Sequence, residues 1–113
     1  ILGGRLFVQA GGSKGPSCLA LHAATGAELW RGPPDRMSYS APVSPPRDPD
    51  TVLVWSDSKL QSFATGTGEV LWSIDSPKVT AFVARVPSPV INSAGDSFLL
   101  SDFNDGTRRF QKS

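Results

Sequence analysis

The chain has 113 residues, of which 39% are hydrophobic and 19% charged, a composition that excludes both a disordered tail and a charged filament. Eleven Lys and Arg residues against ten Asp and Glu residues leave a formal net charge of +1, which gives no electrostatic reason to expect nucleic acid or an anionic membrane as a partner. No run approaches the ~20 apolar residues of a membrane span, and the 11 Gly and 10 Pro, scattered along the chain, indicate many tight turns.

The first predicted strand covers Leu6 to Ala10, an apolar run bounded by glycines. The single cysteine, Cys18, follows in the apolar run 18–21, where a small buried hydrophobe is expected, and one cysteine allows neither an intrachain disulfide nor an all-cysteine metal site. The only histidine, His22, is four residues further along a predicted strand, hence about 13 Å away at ~3.3 Å per residue. That distance is too long for a Cys-His nucleophilic pair, so no catalytic residue is predicted and the chain is interpreted as not an enzyme.

An internal repeat is the strongest feature of the sequence. The segment ALHAATGAELW, residues 20–30, aligns with SFATGTGEVLW, residues 62–72, so that Thr, Gly, Leu and Trp coincide at an offset of 42 positions (72 − 30). A second match places SAPV, residues 40–43, on PSPV, residues 87–90, at an offset of 47 positions (89 − 42). A period in the forties is typical of a four-stranded propeller blade.

Two further strands are predicted from Thr51 to Trp55 and from Ser97 to Ser101. Both are apolar without strict alternation, as expected for inner strands that are covered on both faces. Thr-Gly pairs at 25–26 and 67–68 separate strand-like runs, because glycine can take the positive φ that a tight hairpin turn often needs. The sequence 104–106, Asn-Asp-Gly, gives the same turn signal more strongly, and helix signals are almost absent.

The repeat register divides the chain into blades. Blade 1, residues 1–35, is predicted to contain strands 2–4, blade 2, residues 36–76, to be complete, and blade 3, residues 77–113, to contain strands 1–3. The last blade is shortened because Trp72 follows Pro42 by 30 positions (72 − 42), whereas the same count from Pro89 passes the end of the chain. The sequence therefore predicts an all-β fold, a partial β-propeller of about two and a half four-stranded antiparallel blades.

These residues resemble a known family of repeats. The pattern Ala-x-Asp-x-x-Thr-Gly-x-x-x-Trp is the hallmark of quinoprotein-like (PQQ-like) propeller repeats, found in pyrroloquinoline-quinone (PQQ) dehydrogenases and in many propellers that bind no cofactor. The first copy has His22 in the Asp position and matches at Ala20, Thr25, Gly26 and Trp30. The second copy departs at Ser62 and Ala64 and matches at Thr67, Gly68 and Trp72. The chain is similar to the bacterial type without cofactor over nearly its whole length.

The resemblance implies a structural role for the tryptophans. In such repeats the Trp stands on the outermost strand of its blade and lies flat against a turn of an adjacent repeat, where only glycine lets an indole approach closely. A buried indole removes roughly 150–250 Å² from water. We therefore expect Gly26, Trp30, Gly68 and Trp72 to be docking residues, with Trp30 the less important because its neighbour is expected outside the chain. Trp55, outside the motif, is expected in the core rather than along the channel.

The resemblance gives no reason to expect a cofactor. Quinone-binding members have adjacent cysteines, a Trp beneath the cofactor, and Glu, Asn and Asp around a calcium ion, whereas this chain has one cysteine. The candidate metal ligands are Asp102, Asn104 and Asp105, whose alternating oxygens suit a hard cation. That stretch lacks a bidentate Glu and is already predicted to be a hairpin turn, so no metal site is predicted.

The sequence favours a non-enzymatic binding or scaffold module that is part of a larger bacterial protein. We expect it to be extracytoplasmic, either periplasmic or secreted. Its expected partners are another protein or the remaining blades of the parent propeller, with no nucleic acid and no membrane span, and its open blade faces are expected to allow self-association. Two alternatives stay open: a non-catalytic blade segment of a PQQ-dependent dehydrogenase, and a sensor propeller fused to a bacterial kinase.

Overall fold

A computed structural model of the chain describes residues 1–10, 14–38, 40–75, 88–94, 97–102 and 106–111, with only the backbone given for 98–102 and 106–111. Within those ranges the chain forms nine β-strands and no helix. The strands belong to three separate three-stranded sheets, and every strand pair is antiparallel. The prediction of an all-β fold is confirmed.

Each sheet is built from strands that are consecutive along the chain. The first sheet contains β1 (Arg5–Val8), β2 (Leu19–His22) and β3 (Glu28–Arg31). The second contains β4 (Thr51–Trp55), β5 (Lys59–Ala64) and β6 (Val70–Asp75). The third contains β7 (Val90–Ile91), β8 (Ser97–Asp102) and β9 (Gly106–Gln111). Every connection inside a sheet is therefore a hairpin, the arrangement that short strands and frequent turn residues favour.

The strands lie close to their predicted positions. The strand Thr51–Trp55 has the predicted limits, and the strand predicted to start at Ser97 runs one residue further, to Asp102. The first strand ends at Val8 instead of Ala10 because Val8 pairs with Leu19, the first residue of β2. The side chain of the next residue, Gln9, bonds instead to the second sheet. In the hairpin between β8 and β9, Asp102 pairs with Gly106, while Asn104 and Asp105 lie outside the described residues.

The first two sheets repeat each other in local detail. In both, the strand register shifts by one residue at positions that differ by 42: between Ala20 and Leu21 in β2, and between Ser62 and Phe63 in β5. The extra residues in the opposite strands are Leu29 and Leu71, which are 46% and 47% exposed. A β-bulge of this kind turns the strand locally and re-aims the side chains that follow it. Here the following residue is the tryptophan of the repeat.

A fourth segment lies beside β4, the first strand of the second sheet. Val43 and Leu53 form an antiparallel bridge in which each backbone N–H donates to the carbonyl of the other, at 2.9 and 2.7 Å. In the third sheet β7 stands at the same place relative to β8, and its first residue, Val90, matches Val43 at the offset of 47 (90 − 43). Each sheet falls inside one of the predicted ranges 1–35, 36–76 and 77–113, but the blade limits themselves stay a prediction.

The main core lies between the first two sheets. Its buried residues are Cys18, just before β2, two residues of the first sheet and three of the second, namely Ala20, Trp30, Val52, Val54 and Phe63. A smaller cluster on the other face of the second sheet joins Trp55 and Leu60, with Trp72 and Ile74 packed against it. Trp55 is 2% exposed, so it lies in the core, as the sequence predicted. Each of the two sheets therefore covers apolar side chains of the other, so neither sheet buries this core alone.

Candidate inter-sheet docking site

Trp30 is the side chain through which the first sheet reaches the second. It lies in the edge strand β3, where its neighbours Leu29 and Arg31 are exposed while Trp30 itself is 9% exposed. Successive residues of a strand point to opposite faces, so a single large apolar residue in an otherwise exposed strand marks the buried face. That face is turned toward the second sheet.

The indole of Trp30 lies against the backbone of Gly68, in the turn between β5 and β6. A Cβ atom added to Gly68 would stand 2.6 Å from both Cδ2 and Cε3 of Trp30 and 2.9 Å from its Cγ. Real Cβ atoms essentially never approach that closely, so no side chain fits at this position without moving the ring. Gly68 also has a φ of +77°, in the left-handed region where residues with a Cβ are disfavoured. Two independent constraints therefore require glycine here.

The same turn provides a hydrogen-bond acceptor for the indole. Nε1 of Trp30 donates to the carbonyl oxygen of Thr65 at 2.9 Å, and this bond is buried. Thr65 is held in turn by the loop that precedes β4, since its backbone N–H donates to Asp50 O at 2.9 Å and its hydroxyl donates to Pro49 O at 3.2 Å. A buried N–H without a partner would cost free energy, so this acceptor allows the whole indole to leave water.

Trp30 also stands in a stack of aromatic rings. Its centroid is 5.8 Å from that of Phe7 at an interplanar angle of 41°, and 5.8 Å from that of Phe63 at 24°. Phe7 belongs to β1 and Phe63 to β5, so two rings of the first sheet, Phe7 and Trp30, meet one ring of the second. Each such pair contributes about 0.5–1.5 kcal/mol beyond the burial of its area.

The turn at Gly26 has the same construction as the turn at Gly68. The glycine φ is +74° in one and +77° in the other. Gly26 N–H donates to His22 O at 2.8 Å, as Gly68 N–H donates to Ala64 O at 2.9 Å. A threonine hydroxyl closes both turns, Thr25 accepting from Ala27 N–H at 3.2 Å and Thr67 from Glu69 N–H at 3.3 Å. The two turns differ in what lies above them, because no described atom would come within 4 Å of a Cβ at Gly26.

Trp72 occupies a different environment from Trp30. It is half-buried and packs against the cluster of Trp55 and Leu60 on the far face of the second sheet. The expectation that the neighbour of Trp30 lies outside the chain was wrong. The outer strand of the first sheet turns its indole toward the sheet that follows it in the chain, so Trp30 finds Gly68 within the same chain. The structure thus brings together Trp30 and Gly68, and the docking role of all four predicted residues stays a prediction.

Polar contacts that the sequence did not predict also join the first two sheets. Nε2 of Gln9 donates to Ser40 O at 2.9 Å and to Trp55 O at 3.1 Å, while its Oε1 accepts from Ser38 N–H at 2.9 Å. The hydroxyl of Ser38, which is buried, donates to the same Trp55 carbonyl. From the end of β1, Gln9 therefore meets the segment around Ser38 and Ser40 and the last residue of β4, Trp55. The one signal in the sequence was a polar residue at the end of an apolar run.

Asp35 joins the connection between the sheets to the tight turn after β4. Its Oδ2 accepts from the Ser56 hydroxyl at 2.5 Å and from the N–H and hydroxyl of Ser58 at 3.2 and 2.9 Å, and its Oδ1 accepts from Arg36 N–H at 2.8 Å. Partial burial pushes the pKa of this carboxyl upward, and the hydrogen bonds from Ser56, Ser58 and Arg36 together outweigh that effect, so its pKa lies below the ordinary value. The bonds favour the ionised form.

Cys18 and His22 are not arranged for nucleophilic chemistry. Burial raises the pKa of the Cys18 thiol to about 12, and its Sγ donates to the carbonyl of Leu19 at 3.8 Å. His22 is exposed, and its Nδ1 accepts from the N–H of Ala24 at 3.2 Å, a contact within the turn. A thiol in this state is protonated at neutral pH and acts as a small apolar side chain.

The structure describes one of the three candidate metal ligands. Asp102 ends β8, while the other two candidates, Asn104 and Asp105, lie outside the described residues. In the ranges that are described, no three His, Cys, Asp or Glu side chains come together in a group that could hold a metal ion. Within the same ranges, no helix is long and apolar enough to cross a membrane.

Comparison with known proteins gives a family and a fold. A family model described as "Outer membrane protein assembly factor BamB" matches residues 2–106. No curated protein sequence matches the chain. The crystal structure of BamB from Moraxella catarrhalis is similar with a TM-score of 0.75 at 15% identity, over 98% of this chain and 35% of that chain. The chain thus spans about a third of the length of that structure. Because BamB is a β-propeller, the predictions of PQQ-like repeats and of a partial propeller are confirmed.

Replacing Gly68 by alanine is expected to destabilise the chain more than replacing Gly26. Both residues have nearly the same positive φ, so each alanine costs roughly 1–2 kcal/mol for the left-handed backbone. Only at position 68 does the new Cβ meet the indole, which adds about 1–3 kcal/mol of overpacking. Urea unfolding followed by circular dichroism measures both free energies of unfolding. Equal losses for the two variants would show that the ring is not held against Gly68.

Trp30→Ala is expected to lower the free energy of unfolding by about 3–5 kcal/mol, and Trp72→Ala by clearly less, because Trp72 is only half-buried. Trp30→Phe keeps a ring but removes the donor to Thr65, which should cost about 1 kcal/mol for the hydrogen bond. The urea midpoints of the three variants rank their losses of stability. A loss at Trp72 as large as that at Trp30 would contradict the assignment of Trp30 to the main core.

The contribution of Asp35 to stability should disappear in acid. Because the folded state lowers the pKa of Asp35 below its ordinary value of 3.8, its stabilising effect is complete above that value and is lost as the pH falls through the lower pKa of the folded state. The stability difference between wild type and Asp35→Asn, measured by urea unfolding from about pH 6 downward, should therefore shrink below about pH 4. The exposed Asp75→Asn serves as the control, and an Asp35 difference that stays constant with pH would contradict the prediction.

Proposed function

Because this chain belongs to the PQQ-like repeat family described as outer membrane protein assembly factor BamB, we propose that it works as a non-enzymatic binding and scaffold module of a larger protein. Its sheets stack through side-chain contacts, and its ligand is another protein. We propose an extracytoplasmic location, periplasmic or secreted, since the family description concerns proteins of the outer membrane. The relative covers much more sequence than this chain, so the module is one part of the unit that binds.

The observation that carries the proposal is the contact between Trp30 and Gly68. It joins two consecutive repeats through an indole, a glycine backbone and one buried hydrogen bond from Trp30 to Thr65. A contact of this kind fixes how one sheet stands on the next and performs no chemistry. Repeat proteins that are built this way present extended surfaces, and such surfaces suit the recognition of other macromolecules.

The state of the reactive side chains supports the same proposal. The Cys18 thiol is buried with its pKa raised to about 12, and the Asp35 carboxyl is surrounded by donors that hold it ionised. A general base needs a pKa near the working pH and access to substrate, and a thiol nucleophile must be able to ionise. Among the described residues, the groups best suited to catalysis are thus engaged in packing and in loop structure. We propose likewise that the module binds no PQQ, because the sequence has a single cysteine.

The family description suggests the ligand to test. The chain is titrated into a fluorescently labelled, urea-unfolded outer-membrane β-barrel protein after dilution, and anisotropy is measured. We expect saturable binding, and weaker binding of an unfolded water-soluble protein of similar length that serves as the control. Equal binding of both proteins, or of neither, would contradict the proposed role.

A second arm of the experiment addresses the enzyme alternative. The same chain is titrated with PQQ in the presence and absence of calcium, and the heat of binding is measured by calorimetry. No stoichiometric binding is expected. Micromolar one-to-one binding of PQQ would instead favour a segment of a quinone-dependent dehydrogenase.

A further inference from the structure

We propose that Arg47, in the loop formed by residues 44–50, is a contact residue for the protein ligand of this module, and that its guanidinium binds a carboxylate of that ligand. The loop belongs to the second sheet, where it joins the segment at Val43 to β4. This inference rests on the proposed binding role and names the chemical group that the loop recognises.

The first argument is the backbone conformation of Arg47. Among the described residues other than glycine, it is the one with a positive φ, at +62°. It is the third residue of a β-turn in which Asp48 N–H donates to Pro45 O at 3.2 Å and Pro46 is the second residue. A turn with proline second and a positive φ third favours glycine or asparagine at that third position. Strained residues of this kind concentrate at binding sites, where the side chain has a use that outweighs the cost of its backbone.

The second argument is that the loop is anchored without the side chain of Arg47. Pro45 is buried, and the Ser44 hydroxyl donates to Asp48 O at 3.3 Å. The Thr51 hydroxyl donates to Oδ2 of Asp48 at 2.8 Å. These contacts and the fixed φ of the prolines hold the turn in its strained form. A guanidinium on a loop that is already ordered loses less conformational entropy when a ligand binds.

The third argument is that the guanidinium is available to a ligand. Arg47 is exposed, and within the part of the chain that the structure describes its side chain forms no hydrogen bond or ion pair. Arg31, also exposed, instead pairs with Glu28 at 2.7 Å. The acidic residue next to Arg47, Asp48, accepts from the N–H of Asp50 at 3.3 Å, in addition to its bond with the loop hydroxyl. The donors of Arg47 are therefore left for a partner.

The charges around Arg47 decide which anion suits it. Asp48 and Asp50 lie one and three positions further along, so the loop carries a formal charge of −1 (1 − 2). Such surroundings repel polyanions, including nucleic acid and a phosphate-rich membrane surface. A single carboxylate matches the planar guanidinium, because two parallel charge-assisted hydrogen bonds can form between them. The ligand group is therefore an Asp or Glu side chain of a protein.

Exposed prolines beside Arg47 add apolar surface to the contact. Pro46 directly precedes Arg47 and Pro49 follows it by two positions, and both are exposed. Burying a proline ring costs no rotamer freedom, so a ligand can cover these rings without that penalty. The segment that fits is a stretch of polypeptide in which one Asp or Glu stands beside an aromatic or aliphatic residue.

Substitutions at position 47 separate binding from stability. Arg47→Gly removes the guanidinium and gives the turn a residue that suits its φ, so we expect roughly tenfold weaker binding of the labelled β-barrel protein together with a higher urea midpoint. Arg47→Lys keeps the charge without the planar fork and should lose part of the affinity at an unchanged midpoint. Lys14→Gly is the control, because it removes an exposed positive charge from another part of the chain and should bind like the wild type.

Three results would overturn the proposal. The first is unchanged binding by Arg47→Gly, which would leave the binding module standing without this contact. The second is an equal loss for Lys14→Gly, which would make net charge the cause. The third is a lower urea midpoint for Arg47→Gly, which would show that the arginine serves the fold instead of a ligand.

A peptide probe tests the contact independently of the proposed function. N-acetyl-Phe-Asp-Phe-amide, or the same peptide with Asn in place of Asp, is titrated into the isotope-labelled 113-residue chain. The Nε–Hε signal of Arg47, assigned by its loss in Arg47→Lys, is followed by nuclear magnetic resonance. We expect the Asp peptide to shift this signal saturably and the Asn peptide to leave it in place.

The remaining outcomes of the titration are distinct. No shift, the same shift with both peptides, or a larger shift with inorganic phosphate at equal concentration would overturn the assignment of a carboxylate ligand. A shift with the Asp peptide in a chain that does not bind the β-barrel protein would support the carboxylate contact of Arg47 and contradict the proposed function.

Discussion

The stacking of the first two sheets depends on the missing Cβ of Gly68. The indole of Trp30 occupies the space that any other side chain at that position would need, at a distance of 2.6 Å from where a Cβ would stand. Contact with the bare backbone lets Nε1 reach the Thr65 carbonyl. The same contact therefore removes one face of the ring from water and gives the indole N–H a hydrogen-bond acceptor. Phe7 and Phe63 then pack against an indole whose position is already fixed.

Polar contacts also join the first two sheets, at the ends of the strands that lie away from the Gly68 turn. Gln9 bonds to backbone groups of Ser38, Ser40 and Trp55, and Asp35 gathers the donors of the turn after β4. Dispersion contacts tolerate small sliding of one surface over another, but hydrogen bonds to specific carbonyls do not. The apolar stack therefore supplies most of the burial between the sheets, and the polar contacts fix their relative orientation.

Among the described residues, the side chains that could carry chemistry are engaged in packing and in loop structure. The Cys18 thiol is buried, His22 is exposed within a turn, and the carboxyl of Asp35 accepts four hydrogen bonds. The two Thr-Gly turns have the same construction, and the one at Gly68 holds the indole of Trp30.

The sequence by itself determined the features that depend on nearby residues. The Thr-Gly turns, the strand Thr51–Trp55 and the period of 42 positions follow from local conformational preferences, so they were predictable and the all-β propeller followed from them. Only the tertiary structure decided which turn receives which indole, because that depends on the direction in which a bulged edge strand turns its face. For the same reason Trp30, expected to find its neighbour outside the chain, meets Gly68 inside it, and Gln9 joins segments about 30 and 46 residues away. Local patterns specify the repeat, whereas the contacts between repeats arise from long-range packing that no single stretch of sequence encodes.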